Sequence, residues 1–169
     1  VFKGDTLVGE LTALETLCHS IITNEVSTFT ISITDPEKNN EKIDLSCTTT
    51  KKPKVNVNVS GTSPYINIDI FIDGNVLSVK KDKNYFDKNY IQKLNTSTNI
   101  FLKKSITEYL YKTSVELHSD IDYFSKSAVI NFLTLNDWNS YNWNDNYKNA
   151  FFNVNVKTNI KSSILLTQS

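Results

Sequence analysis

Two hydrophobic periods divide the chain. Between Thr28 and Ile72, and again between Phe152 and Ile160, apolar residues alternate with polar ones, as in strands with one dry and one wet face. Phe29, Ile31 and Ile33 share one face of a first strand that stops at Asp35-Pro36, since the residue before proline is driven out of helical geometry and the chain turns there. The polar run to Glu41 reads as a hairpin loop. Ile43, Leu45 and Cys47, then Val55, Val57 and Val59, then Ile66, Ile68, Ile70 and Ile72 repeat the alternation. Gly61 with Pro64, and Asp73-Gly74-Asn75, are the expected turns between them. The pattern predicts a mostly antiparallel sheet joined by hairpins, with Phe152, Val154, Val156 and Ile160 on a final strand.

Elsewhere the period lengthens. "VFKGDTLVGEL" reads as a strand pair around Gly4-Asp5, and Thr12-Ala-Leu-Glu15 is a capping box that predicts a helix over about 13–22, ended by Asn24. From Asp87, the residues Ile91, Leu94, Thr98, Phe101, Leu102, Ile106, Tyr109, Leu110, Thr113 and Leu117 fall on one helical stripe. About 30 residues at ~1.5 Å each make a rod of roughly 45 Å, long enough to cross a small sheet. The tyrosines and threonines in the stripe predict a face only partly buried, or one that meets a neighbouring domain. "KSAVINFL" reads as a short helix or loop, and an aromatic, asparagine-rich loop comes after it. Within that loop Trp143 is expected to fold over the open end of the core, and Trp138, between Asp137 and Asn139, to stay accessible to a partner. The fold class is therefore α+β: a mostly antiparallel sheet packed against one long helix plus a shorter N-terminal helix.

Composition narrows the function more than the fold. The 169 residues carry 18 basic against 18 acidic side chains, so no sign-driven attraction to nucleic acid or anionic lipid is expected. Every basic residue is lysine, which removes the side chain best suited to bidentate phosphate or carboxylate recognition. Asparagine abundance without arginine is the mark of AT-rich codons. A chain that starts at Val1 and holds no methionine is expected to be a fragment or a processed product. No stretch approaches the ~20 apolar residues of a membrane span, so the fragment is expected to be soluble. Cys18 and Cys47 lie in apolar-patterned segments without metal-ligand spacing and are expected to be buried free thiols, a disulfide being the alternative.

Chemistry-bearing patterns are sparse. His19 and His118 have no co-ligands or nucleophile at a telling spacing, and Gly4, Gly9, Gly61 and Gly74 form no phosphate loop, so no catalytic, cofactor or metal site is expected. Asp69 with Asp73, and Asp120 with Asp122, are spaced as acid pairs. The first pair fits a wet sheet face, and Asp120 fits an acceptor for loop N–H groups where the long helix ends. Lys51, Lys52 and Lys54 around Pro53 suit an anion patch or, more simply, a charged strand edge that resists further pairing. Asn58-Val-Ser60 and Asn95-Thr-Ser97 match a glycosylation sequon in a chain where so much asparagine produces such matches by chance.

Several stretches together resemble one family. "VFKGDTLVGELTALET", with its helix opened by Glu15-Thr16, is similar to the segment entering the C-terminal domain of GerAC-type, or Ger(x)C, spore germination lipoproteins, the C subunits of nutrient germinant receptors. "HSDIDYF" resembles the Ser-Asp motif closing that family's long helix, carried here by Ser119 and Asp120. "DWNSYNW" resembles its two spaced tryptophans, Trp138 and Trp143, with Tyr147 in place of a further aromatic, and "FNVNVKTNI" resembles its last strand.

The resemblance implies a non-enzymatic, extracytoplasmic protein held on the spore inner membrane by a lipidated N-terminal cysteine outside this chain. It would act beside membrane-embedded A and B subunits in sensing amino acids or similar nutrients. Residues 12–169 would form the C-terminal domain, with 1–11 finishing the preceding one or supplying its first strands. Glu15, Ser119, Asp120, Trp138, Tyr141 and Trp143 are the residues expected to matter, the aromatic loop and the exposed face of the long helix forming a docking surface. An amino-acid-binding module is the alternative, and a hydrolase using Asp120 and Asp122 a more distant one.

Overall fold

A computed structural model describes residues 1–3, 5–77 and 87–161. After a small hairpin of β1 (Phe2–Lys3) and β2 (Thr6–Leu7), whose expected turn residue Gly4 lies outside the described residues, the first helix is α1 (Ala13–Ile22). Its cap is the one expected: Thr12 Oγ1 accepts from the Glu15 amide at 3.3 Å, and the Glu15 carboxylate accepts from the Thr12 amide at 2.7 Å. Strands β3 (Thr28–Thr34), β4 (Lys42–Thr49), β5 (Lys54–Ser60), β6 (Ser63–Val76) and β7 (Phe151–Lys161) build one five-stranded sheet.

The sheet is organised about β6. Its residues alternate in burial along the whole strand, and Ile66, Ile68, Ile70 and Ile72 are all within 2% of full burial, each contributing about 1.5–3 kcal/mol through the apolar surface removed from water. One edge of β6 receives β5 and then β4, both antiparallel, with Lys54 opposite Asp69 and Thr49 opposite Ile72. Between those two pairs, five steps on the outer chain face three on β6, so the joint at residues 50–53 bulges. Buried Pro53, which has no N–H to offer a ladder, sits at this joint. The lysine-flanked proline thus lies at the joint between β4 and β5, and Lys54 opens β5, a strand at the edge of the sheet whose one strand partner among the described residues is β6. β3 pairs outside β4.

Two expected turns are displaced. The turn at residues 61–62 is the hairpin, with Gly61 at φ 60°, while Pro64 is already paired with Val59 inside β6. Asp73-Gly74-Asn75 is no turn at all: Gly74 lies in the strand between Cys47 and Ile160, and a Cβ there would approach Ile160 Cγ1 to 3.1 Å. A turn-forming composition yields to pairing on both sides, because the missing side chain makes room for Ile160. Cys18 and Cys47 are free and buried, and burial pushes both thiols up to about 12.

The last strand runs parallel to β6, from Tyr65 opposite Phe151 to Asn75 opposite Lys161. On the wet face this register lines up polar partners: Asn153 donates to Asn67, Asn155 to Asp69 and Asn159 to Asp73, and Lys161 Nζ pairs with Asp73 at 2.8 Å. On the dry face lies α2 (Lys88–Tyr111), with Leu94, Thr98, Leu102, Ile106 and Leu110 fully buried. Thr98 tolerates this because its hydroxyl donates to Leu94 O at 2.7 Å within the helix. Past Tyr111 the expected helix continues as a wider π-turn over Lys112–Glu116, in which the Leu117 amide reaches Lys112 O.

The long helix also closes the outer edge of β7. Asn95 Oδ1 accepts from the Ile160 amide at 2.9 Å, and Asn99 Oδ1 from the Thr158 amide at 2.9 Å. Four residues along a helix cover about 6 Å and two along a strand about 6.6 Å, so successive turns of α2, running antiparallel to β7, meet successive outward amides. Asn95 also donates to Ile91 O and accepts from the Thr158 hydroxyl, which fixes its amide plane. Replacing Asn95 by Leu strands these groups and is expected to lower stability by about 1–3 kcal/mol with an unchanged denaturant slope, measured by urea unfolding.

Candidate functional site

The segment leaving α2 must reverse direction before the aromatic region, and positive φ values at His118 (48°) and Tyr123 (60°) mark the reversal. Its start is tied to α1 by Lys112, whose ammonium meets Glu15 at 2.8 Å and Glu10 O at 3.0 Å. Glu15 thus serves the α1 cap and the α1–α2 contact together. Burial pushes its carboxyl up, but the bonds from Lys112 and Thr12 outweigh this and hold it below the ordinary value. Ser119 is buried, with its amide on Thr113 O.

Asp120 organises the next segment. Its carboxylate accepts from the amides of Phe124 (2.9 Å) and Ser125 (2.8 Å), opening the short helix α3 (Ser125–Ala128), and from Trp143 Nε1 at 2.9 Å. One carboxylate thereby fixes the loop and the ring that closes the core.

Asp122, two residues on, faces the opposite partners. It is buried and accepts from Tyr109 Oη at 2.9 and 3.0 Å and from His19 Nδ1 at 2.8 Å, joining α1, α2 and the loop. The hydrogen bond to Asp122 raises the His19 imidazole above its ordinary value, and burial pushes the Tyr109 phenol up further still. Asp122 itself is pushed up by burial against the pull of both donors. A shallow cleft of about 400 Å³ opens here, between Lys52 and Pro53 on one side and Asp122, Tyr123 and Lys126 on the other.

The aromatic region is two short helices, α4 (Leu135–Tyr141) and α5 (Trp143–Tyr147), hinged at Asn142 with φ 50°. Its rings form a continuous path from surface to core: Phe132 to Trp138 at 5.3 Å, Trp138 to Trp143 at 5.9 Å, Trp143 to Tyr147 at 5.8 Å and Tyr147 to Phe152 at 6.2 Å. Trp143 is buried, while Trp138 and Tyr141 are half-buried and pack against the core cluster from outside. Tyr141 Oη is buried without a hydrogen-bond partner.

The structure therefore brings Asp120 and Trp143 together directly, with Trp138 and Tyr141 in ring contact with Trp143, and places Glu15 at the α1–α2 contact. Three members of this surface belong to no sequence motif. Ile130, Leu133 and Leu135 are 81%, 99% and 74% exposed, beside the ring cluster. Their signal in the sequence is four aliphatics within residues 129–135 of a segment too short to bury them. His19 and Asp122 each stand out as titratable residues, but their 103-residue separation hides the pairing. Among the described residues no cluster of His, Cys, Asp or Glu is arranged to hold a metal ion, and no helix is long and apolar enough to cross a membrane.

These features define an α+β domain in which one long helix lies antiparallel over a sheet closed by a parallel last strand. The chain belongs to the family described as spore germination B3/GerAC-like, C-terminal, which it matches over residues 1–164. It is a domain of the germinant receptor C-subunit type, as the sequence motifs implied. Its fold is similar to that in the crystal structure of the GerBC protein, with a TM-score of 0.74 and 19% identity. The match covers 92% of this chain and 48% of GerBC, so the chain spans about half the length of that protein. No curated protein matches it.

The buried network sets a pH dependence. His19 gains Asp122 only on folding, so its contribution is complete below about pH 6.5 and is lost as pH rises through the elevated folded value. The unfolding free energy is expected to fall across that window in urea titrations, and His19→Gln to flatten the slope. Asp122→Ala, which strands Tyr109 and His19, is expected to cost about 3 kcal/mol or more. Tyr141→Phe removes a hydroxyl with no partner and is expected to leave stability unchanged or raise it by up to about 1 kcal/mol.

Proposed function

We propose that this domain is the non-enzymatic contact domain of an extracytoplasmic germinant receptor subunit, docking on membrane-embedded A and B subunits through its aromatic surface. The carrying observation is the exposed aliphatic trio Ile130, Leu133 and Leu135 beside half-buried Trp138 and Tyr141, a surface that water solvates poorly. In the full-length protein a lipidated N-terminal cysteine would hold the domain at the outer face of the spore inner membrane, which family membership supports.

Against a hydrolytic role, Asp120 and Asp122 are both occupied by donors from their own chain, Asp120 by two backbone amides and an indole. Amino-acid binding remains a second reading because the cleft beside Asp122 offers Lys52 and Lys126 at its rim.

The test is capture of the A and B subunits from detergent-solubilised spore membranes by the purified domain. Changing Ile130, Leu133 and Leu135 together to Ser, or Trp138 and Tyr141 to Ala, is expected to reduce capture at least tenfold with an unchanged circular dichroism spectrum. Undiminished capture by both folded variants rejects the docking surface. Saturable heat on titrating the unaltered domain with amino acids would instead favour the cleft.

A further inference from the structure

Three lysines surround one proline in the sequence, and the bulge at residues 50–53 sends them to different sides of the sheet. Lys51 Nζ lies over the Phe71 ring at 5.1 Å, on the wet face, where exposed Lys54 also stands opposite Asp69. Lys52 instead lines the cleft of about 400 Å³ between this joint, the end of α1 and the start of α3.

The opposite wall is the turn that leads into α3. Tyr123 holds φ 60° there, a conformation that bulky side chains rarely adopt and that glycine would take with less strain. The phenol ring carried at this position is 57% exposed and lies beneath Lys126, whose ammonium stands 4.3 Å from the ring centroid. A strained backbone thus sets a ring under a cation at the cleft wall.

No described carboxylate pairs with Lys52 or Lys126. The one acid in the wall is Asp122, whose side chain is fully buried and whose oxygens accept from Tyr109 and His19. The Ser127 hydroxyl, also in the wall, has no hydrogen-bond partner among the described residues. Ile22, Pro53 and Val55 make the lining between the two lysines apolar. The cleft therefore offers two positive charges, a hydroxyl donor and an apolar surface, with no carboxylate open to a ligand's ammonium group.

We propose that this cleft binds a small organic carboxylate with a short aliphatic body and no amino group. The carboxylate sits between Lys52 and Lys126, within reach of Ser127, and the aliphatic part lies against Val55 and Pro53. A zwitterionic amino acid is disfavoured because its ammonium would leave water without gaining a countercharge. The proposal rests on the reading of this cleft as a ligand site and is independent of subunit docking, which uses other residues.

The probes are isocaproate, which is leucine without its amino group, leucine itself, and isoamylamine, which is leucine without its carboxylate. Each is titrated into residues 1–169 and followed by backbone amide chemical shifts. Isocaproate is expected to give saturable shifts at Val55, Tyr123 and Lys126 at millimolar concentration, weakened by salt. Leucine is expected to bind at least fivefold more weakly and isoamylamine to give no saturable shift. Lys52→Gln with Lys126→Gln, both at exposed positions, is expected to weaken isocaproate at least tenfold while the remaining amide spectrum stays unchanged. Absence of saturable shifts at the cleft overturns the proposal, as does undiminished binding by the folded double variant, which would mean attraction to the surface at large. Leucine binding as tightly as isocaproate also overturns it, returning the cleft to amino acids. A domain that captures the membrane subunits but shows no shift at the cleft rejects this ligand alone and leaves the docking surface standing.

Discussion

A parallel strand pair cannot be closed by a turn, and the pairing of β7 with β6 imposes that condition on everything between them. The chain leaves β6 at one end of the sheet and must re-enter at the other. α2 makes the return journey, which is why one long helix lies antiparallel to both strands and why its apolar stripe covers the dry face. The remaining distance is bridged by the loop and short helices of residues 118–150, too brief to hold a core of their own. They are pinned to the domain by polar anchors.

Those anchors divide the work between two carboxylates separated by one residue. Ile121 between them lets Asp120 and Asp122 serve different sides of the same loop. Asp120 looks forward to α3 and Trp143, and Asp122 looks back to Tyr109 and His19. Each acid draws hydrogen bonds from more than one element, so neither is left as an isolated buried charge. The ring path from Trp138 to Phe152 then couples the position of the surface aromatics to the first residues of β7.

Much of this architecture is legible in the sequence, for reasons that also explain what is not. Alternation reports which face of a strand is dry, and the isoleucines of β6 and valines of β7 report it correctly. It carries no information on strand direction, so the parallel pair stays hidden behind a run of hairpins. Gly74 reads as a turn because its neighbours are turn formers, whereas the space it leaves is used by a residue 86 positions later. Asn95 and Asn99 are masked by the general abundance of asparagine, although two of them one helical turn apart are what an open strand edge requires. The capping box at Thr12 is readable because both its partners lie within four residues. The His19–Asp122 contact is long-range, and local pattern is silent about such pairs.

The late position of β7 bears on how the domain acquires its structure. Its pairing with β6 is the most extensive contact between two elements here and joins residues 86 apart, so the entropy of closing that loop is met before the contact returns anything. During synthesis β6 and α2 emerge well before the strand that lies between β6 and the asparagines of the helix. Until β7 arrives, one side of β6 and the apolar stripe of α2 are bare together, in a nascent chain tethered to the ribosome. The pairing that completes the described sheet is thus the one the chain can make latest in synthesis, and until β7 emerges that apolar surface stays open to contact with other copies.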